Sequence, residues 1–226
     1  MKHYFKLFIA TALIHVLSQP LHAANKQGQE RSPWYFAPVI GISQLSDLTA
    51  TADNVFGSTG DAEVGIDSGF VAGIAAGYQY DQNWSGELGW EYRTNDSAVM
   101  LPNGTLFSEG NYTSNSFSLT GKYAFANQRN WQPFVGLGLV WLQEIDVDLE
   151  TDGQEFSYSS NSDIGFQLLG GINYQFSDSV ELEGALRYSS IQDIELKPEA
   201  GGDTQGAFAD IDYQPLSFQL ALKYRF

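Results

Sequence analysis

Nine ionisable side chains sit at alternate positions inside otherwise apolar stretches, and they are the residues best placed for chemistry. Four are carboxylates, Glu87, Glu91, Glu181 and Glu183, and five are cations, Arg93, Lys122, Arg187, Lys223 and Arg225. Their neighbours are apolar or aromatic: Leu88, Trp90 and Tyr92, for instance, interleave with Glu87, Glu91 and Arg93. Alternate residues of a strand share one face, so these charges belong to one side of several strands. Two carboxylates alone could act as acid and base, as glycosidase pairs do. Carboxylates and cations held face to face would instead neutralise one another, which is what burial of a charge demands. With cations interspersed throughout, the second outcome is expected, a lumen ion-pair network rather than a catalytic pair.

Other chemistry lacks its parts. The three histidines, His3, His15 and His22, all lie near the amino terminus, and the chain has no cysteine. A serine or aspartate hydrolase would normally move its proton through a histidine near neutral pH, so no catalytic residues are assigned and the protein is expected not to be an enzyme. Gly57-Ser58-Thr59-Gly60 has the glycines but not the lysine of a phosphate-binding loop, and no cofactor is expected. Asp146, Asp148 and Asp152 place carboxylates at alternate positions, as calcium loops do. They lack EF-hand spacing and remain a weak metal candidate.

The clearest element able to position the charges is the carboxy-terminal stretch. Leu216, Phe218, Leu220, Leu222, Tyr224 and Phe226 form one apolar face, and Ser217, Gln219, Ala221, Lys223 and Arg225 the other. Such alternation is a strand with different surroundings on its two sides. Eleven residues at about 3.3 Å each, tilted near 45°, cover roughly 26 Å, the height of the apolar band on an outer-membrane barrel, about 25 Å. The same pattern recurs, giving strands near 34–43, 69–80, 84–93, 115–125, 131–142, 164–176, 180–189 and 213–226. Pro38, which cannot donate to a ladder, is awkward within the first unless a bulge accommodates it. Short turns near residues 82, 128 and 178 alternate with long segments over 44–67, 94–114, 143–162 and 190–212. The expected fold is all-β, an eight-stranded antiparallel up-and-down transmembrane barrel. Its interior is just wide enough for side chains to fill. Trp34, Tyr80, Trp84, Tyr123, Phe125, Trp131, Phe176 and Phe226 would form one aromatic girdle, and Phe70, Tyr92, Trp141, Tyr188 and Tyr213 the other.

Charge and address agree with export. Residues 1–24 combine Lys2 and Lys6, an apolar run from Leu7 to Leu17, and the small residues Ala23 and Ala24. This reads as a cleaved signal peptide, the apolar run being too short to cross a bilayer. Residues 25–226 would then form one barrel domain. Without Lys2 and Lys6, nine basic residues face 27 acidic ones, a net charge of −18, which argues against nucleic acid as a partner. Nineteen of the acids fall in the four long segments, where Lys197 is the sole base. These segments read as open, solvated, acidic loops.

The terminal strand Leu216–Phe226, the strand Pro133-Phe134-Val135-Gly136-Leu137-Gly138-Leu139 and the Leu186-Arg187-Tyr188 strand resemble the small outer-membrane β-barrel family. That family includes the OmpA-type transmembrane domain and the opacity-like porins. The resemblance implies an outer-membrane location in a Gram-negative bacterium, long loops outside and both termini periplasmic. It implies that Leu222, Tyr224 and Phe226 carry the signal read by the barrel-assembly machinery. Outer-membrane lipid and lipopolysaccharide would be the surroundings of a monomer. The expected role is structural or surface-interacting, with a plugged lumen. A small diffusion pore is one alternative. A soluble exported ligand-carrying barrel is another, which would need apolar residues inside and polar ones outside.

Overall fold

The computed structural model describes residues 32–45, 48–125, 130–151, 154–160, 163–199 and 206–226; the expected signal peptide and Asp152 lie outside them. Among the described residues the chain forms thirteen strands and no helix. They are β1 (Trp34–Gln44), β2 (Leu48–Val55), β3 (Ser58–Ile66), β4 (Gly69–Gln79), β5 (Trp84–Met100), β6 (Leu106–Phe107), β7 (Glu109–Ala124), β8 (Trp131–Thr151), β9 (Gln154–Ser160), β10 (Asp163–Gln175), β11 (Val180–Pro198), β12 (Ala207–Tyr213) and β13 (Leu216–Arg225).

Antiparallel pairing closes eight of these into a barrel. The ring runs β1, β4, β5, β7, β8, β10, β11, β13 and back to β1. Its outer face is apolar: Leu88 and Leu137 are 62% exposed, whereas the inward Glu87 and Lys122 are 5% and 3% exposed. Bare apolar area on this scale is unfavourable in water by about 25 cal/mol per Å². It suits a bilayer, where closure also satisfies every ladder group. This is the belt ring of a transmembrane barrel. Aromatic pairs rim its short-turn end, with Trp34 and Tyr78, Trp84 and Tyr123, and Trp131 and Tyr174 at centroid separations of 4.9, 4.9 and 4.5 Å. The turn before β5 is closed by Asp81, whose Oδ1 accepts the N–H groups of Asn83 and Trp84, both at 2.8 Å. Those two bonds hold the Asp81 carboxyl below its usual range. Pro38 needs no bulge: the β1–β13 register keeps step from Phe36–Tyr224 to Val39–Ala221 and only skips the rows between.

The long segments depart from the expectation of open loops. They continue the strands upward and build a second ring on the first. β5, β7, β8 and β11 run through both; β2, β3, β9 and β12 replace β1, β4, β10 and β13. In this distal ring the faces are reversed. Val99, Phe107, Ile145, Leu149, Ile194 and Phe208 are buried in one apolar core, while Asp61, Glu63, Asp96, Glu144, Glu195 and Asp212 are exposed outside. The pattern expected of a soluble carrier barrel thus holds for the distal ring alone, and the belt overturns that reading for the whole chain.

Two devices reverse the faces. Along β5 and β7 the phase is unbroken and the residue types change instead: the inward odd positions of β5 pass from Glu91 and Arg93 through Asn95 and Ser97 to Val99. Along β8 the phase itself slips. Ser116 pairs with Leu142 but Asn115 pairs with Glu144, leaving Gln143 as a bulge. Leu137, Leu139 and Trp141 therefore face out while Ile145, Val147 and Leu149, also odd-numbered, face in, since one inserted residue turns every later side chain to the other face. β11 slips likewise between Ile191 and Ile194, with Asp193 at φ 59°. The terminal strand expected over 213–226 is broken at Gln214 and Pro215. Tyr213 ends β12 and points inward at 3% exposure, so it is not part of an outer aromatic girdle.

Candidate functional site

The belt-ring lumen holds all nine charged side chains identified above. Glu87, Glu91, Glu181 and Glu183 are buried, as are Arg93, Lys122, Arg187 and Lys223. Four buried carboxylates thus face four buried cations, and Arg225, the ninth, is half-exposed at the short-turn mouth. The contacts form two groups. In the lower one, Arg225 and Lys223 reach Glu181 at 3.4 and 3.1 Å, and Lys223 also reaches Glu183 at 2.6 Å. Lys122 then joins Glu183 at 3.0 Å to Glu87 at 2.8 Å. The Tyr35 hydroxyl donates to Glu87 at 2.9 Å, and the Lys122 and Lys223 ammonium groups lie 5.5 and 5.8 Å from the centre of the Phe134 ring. Gly77 makes room for this layer, because a Cβ there would overlap the Tyr35 ring.

The upper group centres on Glu91, which takes Arg93 and Arg187, each at 2.8 Å. Gln219 donates to the same carboxylate at 3.2 Å, Arg93 donates to Ser43 at 2.9 Å, and Arg187 donates to Gln167 at 3.2 Å. Every buried carboxylate meets at least one cation, which low-dielectric surroundings require. The polar neighbours Tyr35, Ser43, Gln167 and Gln219 carry no charge signal in the sequence, but their positions share the inward parity of the charged residues. Their role follows from that parity once the strands are aligned.

Above Arg93 lies a neutral polar collar. Ser114 and Tyr213 share a hydrogen bond at 3.1 Å, and Asn95 on β5 pairs with Tyr112 on β7. Asn95 Oδ1 and Ser97 Oγ are buried without a hydrogen-bond partner, and the buried Tyr112 hydroxyl lies beside those of Tyr213 and Ser114. Over the collar sits an apolar cavity of about 40 Å³ whose lining includes Ser97, Tyr112, Ile145, Ile194, Phe208 and Tyr213.

The remaining candidates are distributed differently. Asp146 and Asp148 stand on the outer side of β8, at alternate places along a strand instead of converging from a loop. Among the described residues no group of three or more histidine or acidic side chains is placed to hold a metal ion; Asp152, the third member of the calcium candidate, lies outside them. Partial burial, with Glu144, Glu199 and Asp148 nearby, pushes the Asp146 carboxyl up to about 6. Leu222, Tyr224 and Phe226 lie on the outer face of the terminal segment, Tyr224 and Phe226 stacking edge-on at 5.7 Å.

A closed ring with a lipid-facing belt and an ion-paired interior defines an integral outer-membrane β-barrel. The chain belongs to the outer membrane protein beta-barrel domain family, whose model matches residues 9–226. Its fold is similar to that of the outer membrane protein OprG from Pseudomonas aeruginosa, with 15% identity and a TM-score of 0.65 over 87% of this chain and 97% of that one. It is also similar to the outer membrane protein AlkL studied in DMPC bilayers, with 17% identity and a TM-score of 0.54 over 89% and 94% of the two chains. No curated protein matches the chain.

Proposed function

We propose that this protein is a non-enzymatic outer-membrane barrel that displays a rigid acidic module at the cell surface. The observation that carries the reading is the balanced, buried set of four carboxylates and four cations filling the belt lumen. It leaves the belt as an anchor and the distal ring as the working part. In this reading the short turns and both termini face the periplasm, and the distal ring stands outside among lipopolysaccharide. Leu222, Tyr224 and Phe226 serve the assembly machinery, and the barrel works as a monomer. The acidic exterior would present its carboxylates to cationic partners and repel anionic ones.

Planar-bilayer recordings of the purified, folded chain test the closed lumen. The expected result is no conductance, for wild type and for Arg187→Gln alike. Conductance that changes in Arg187→Gln would establish the diffusion-pore reading instead. A cysteine placed at Asn103, labelled on intact cells by a membrane-impermeant maleimide, tests the orientation; labelling only after lysis would invert it.

A further inference from the structure

Asparagine is followed by glycine at one place in the chain, Asn103-Gly104. The pair lies in the connection between β5 and β6. There the Leu101 N–H donates to the Thr105 carbonyl and the Gly104 N–H to the Leu101 carbonyl, both at 2.9 Å. Pro102, Asn103 and Gly104 are left as the turn proper, and Gly104 has φ 85°. This is the common three-residue hairpin loop, a turn followed by one left-handed residue. Only glycine adopts that angle freely. Pro102 to Leu106 are all exposed.

The Asn103 side chain is folded back along the residues that follow it. Its Oδ1 accepts the Thr105 N–H at 3.0 Å, an Asx turn. Asn103 Cγ and the Gly104 nitrogen are the two ends that a five-membered ring would join. The Thr105 N–H is aimed at the oxygen on which negative charge develops when Cγ is attacked, as an oxyanion-hole donor is. The Gly104 nitrogen is the nucleophile in the same loop, and no side chain shields it: a Cβ on Gly104 would meet nothing within 4 Å. Its hydrogen bond to Leu101 must open first, at an exposed hairpin tip where local opening is easiest. By contrast Asn95, Asn111, Asn115 and Asn173 sit inside strands, and a residue with a side chain follows each.

We infer that Asn103 is a site of self-modification by intramolecular deamidation. The Gly104 nitrogen gives its proton to hydroxide or water and attacks Asn103 Cγ. The new C–N bond closes a succinimide, and the side-chain amide nitrogen leaves as ammonia. Water then opens the ring at either carbonyl, which gives aspartate or isoaspartate at position 103. Either product adds a negative charge to a wall that already exposes Asp61 and Glu63. The aspartate product keeps the backbone and an acceptor for the Thr105 N–H. The isoaspartate product lengthens the backbone by one methylene. The Asn103 N–H donates to Ser58 Oγ at 3.2 Å, and with the longer backbone that bond and the Leu101–Thr105 pairing cannot both persist. Isoaspartate therefore loosens the tie between the β5–β6 hairpin and the start of β3.

The test incubates the folded full chain in detergent micelles near neutral pH and follows each asparagine by peptide mass spectrometry. An isoaspartyl methyltransferase detects the isoaspartate, and a heat-shift gel confirms that the incubated protein is folded. The expected result is conversion at Asn103 ahead of every other described asparagine, with both products present. Asn103→Gln should lose the modification. Thr105→Pro removes the N–H on Oδ1, leaves the Asn-Gly pair intact, and should slow conversion severalfold. Asn103 unchanged while other asparagines convert, or conversion confined to guanidinium-unfolded protein, would overturn the site. A rate in Thr105→Pro equal to or above that of wild type would overturn the polarising role of Thr105.

Discussion

The belt ring and the distal ring share β5, β7, β8 and β11, yet they bury opposite chemistry. In the belt, Leu137 and Leu139 face lipid and Lys122 lies inside among carboxylates. In the distal ring, Ile145 and Leu149 lie inside and Glu144 faces outward. The surroundings explain the reversal. A strand pair in hydrocarbon must turn its apolar side outward, and its polar residues then have only one another. A strand pair in water must do the reverse. A single strand such as β8 crosses that boundary by inserting Gln143, which costs one ladder row and reverses every side chain beyond it.

Deleting Gln143 is therefore the sharpest way to break the contrast. It would turn Ile145, Val147 and Leu149 outward, and at about 1.5–3 kcal/mol for each buried side chain the distal ring should lose roughly 5 kcal/mol or more. Hydrogen exchange should accelerate in β9 and β12 while the belt amides stay protected. Loss of protection throughout would mean that the rings do not fold separately.

In the belt, the matching experiment is Glu91→Gln. It leaves Arg93 and Arg187 without their shared carboxylate and should destabilise by about 3–5 kcal/mol, the usual effect of an uncompensated buried charge. Guanidinium unfolding in lipid vesicles would measure it. A change below 1 kcal/mol would show that water reaches the upper group.

The outer faces offer a paired substitution. Leu137→Arg, on the lipid side, should cost roughly 2–4 kcal/mol, whereas Gln143→Arg, keeping the bulge, should stay within about 0.5 kcal/mol, as surface changes usually do. Equal effects in the same vesicle assay would move the membrane boundary into the distal ring.

The smallest effect sharpens the comparison through pH. The folded Asp146 carboxyl lies near 6, above its ordinary value near 4, so the folded state binds the proton more tightly. The resulting stabilisation is complete below about pH 4 and disappears as pH rises through 6. Protection factors at the β8–β9 pairing, corrected for the intrinsic pH dependence of amide exchange, should be larger at pH 5 than at pH 7, and Asp146→Asn should remove most of that difference. A pH effect that persists in Asp146→Asn would assign it to another group.

Much of this arrangement was legible along the chain. Period-two alternation, as in Leu216 to Phe226, marks the belt strands, and the charged residues at inward parity mark the lumen contents. Even the distal strands leave a trace: Glu144-Ile145-Asp146-Val147-Asp148-Leu149-Glu150 alternates strictly, a strand pattern that its acid content disguises as loop. The collar at Asn95, Ser97 and Tyr112 leaves no trace, because isolated polar residues at strand positions look alike whether solvated or buried.

By itself the sequence determined that there would be antiparallel strands, an apolar belt and a neutralised lumen, because alternation and charge are local properties. Only the tertiary structure decided which way Ile145, Val147 and Leu149 point and that the acidic segments form a second ring. The reason is that a face has no direction until its register is set against a neighbour. The slip at Gln143 exists only in the pairing of β7 with β8.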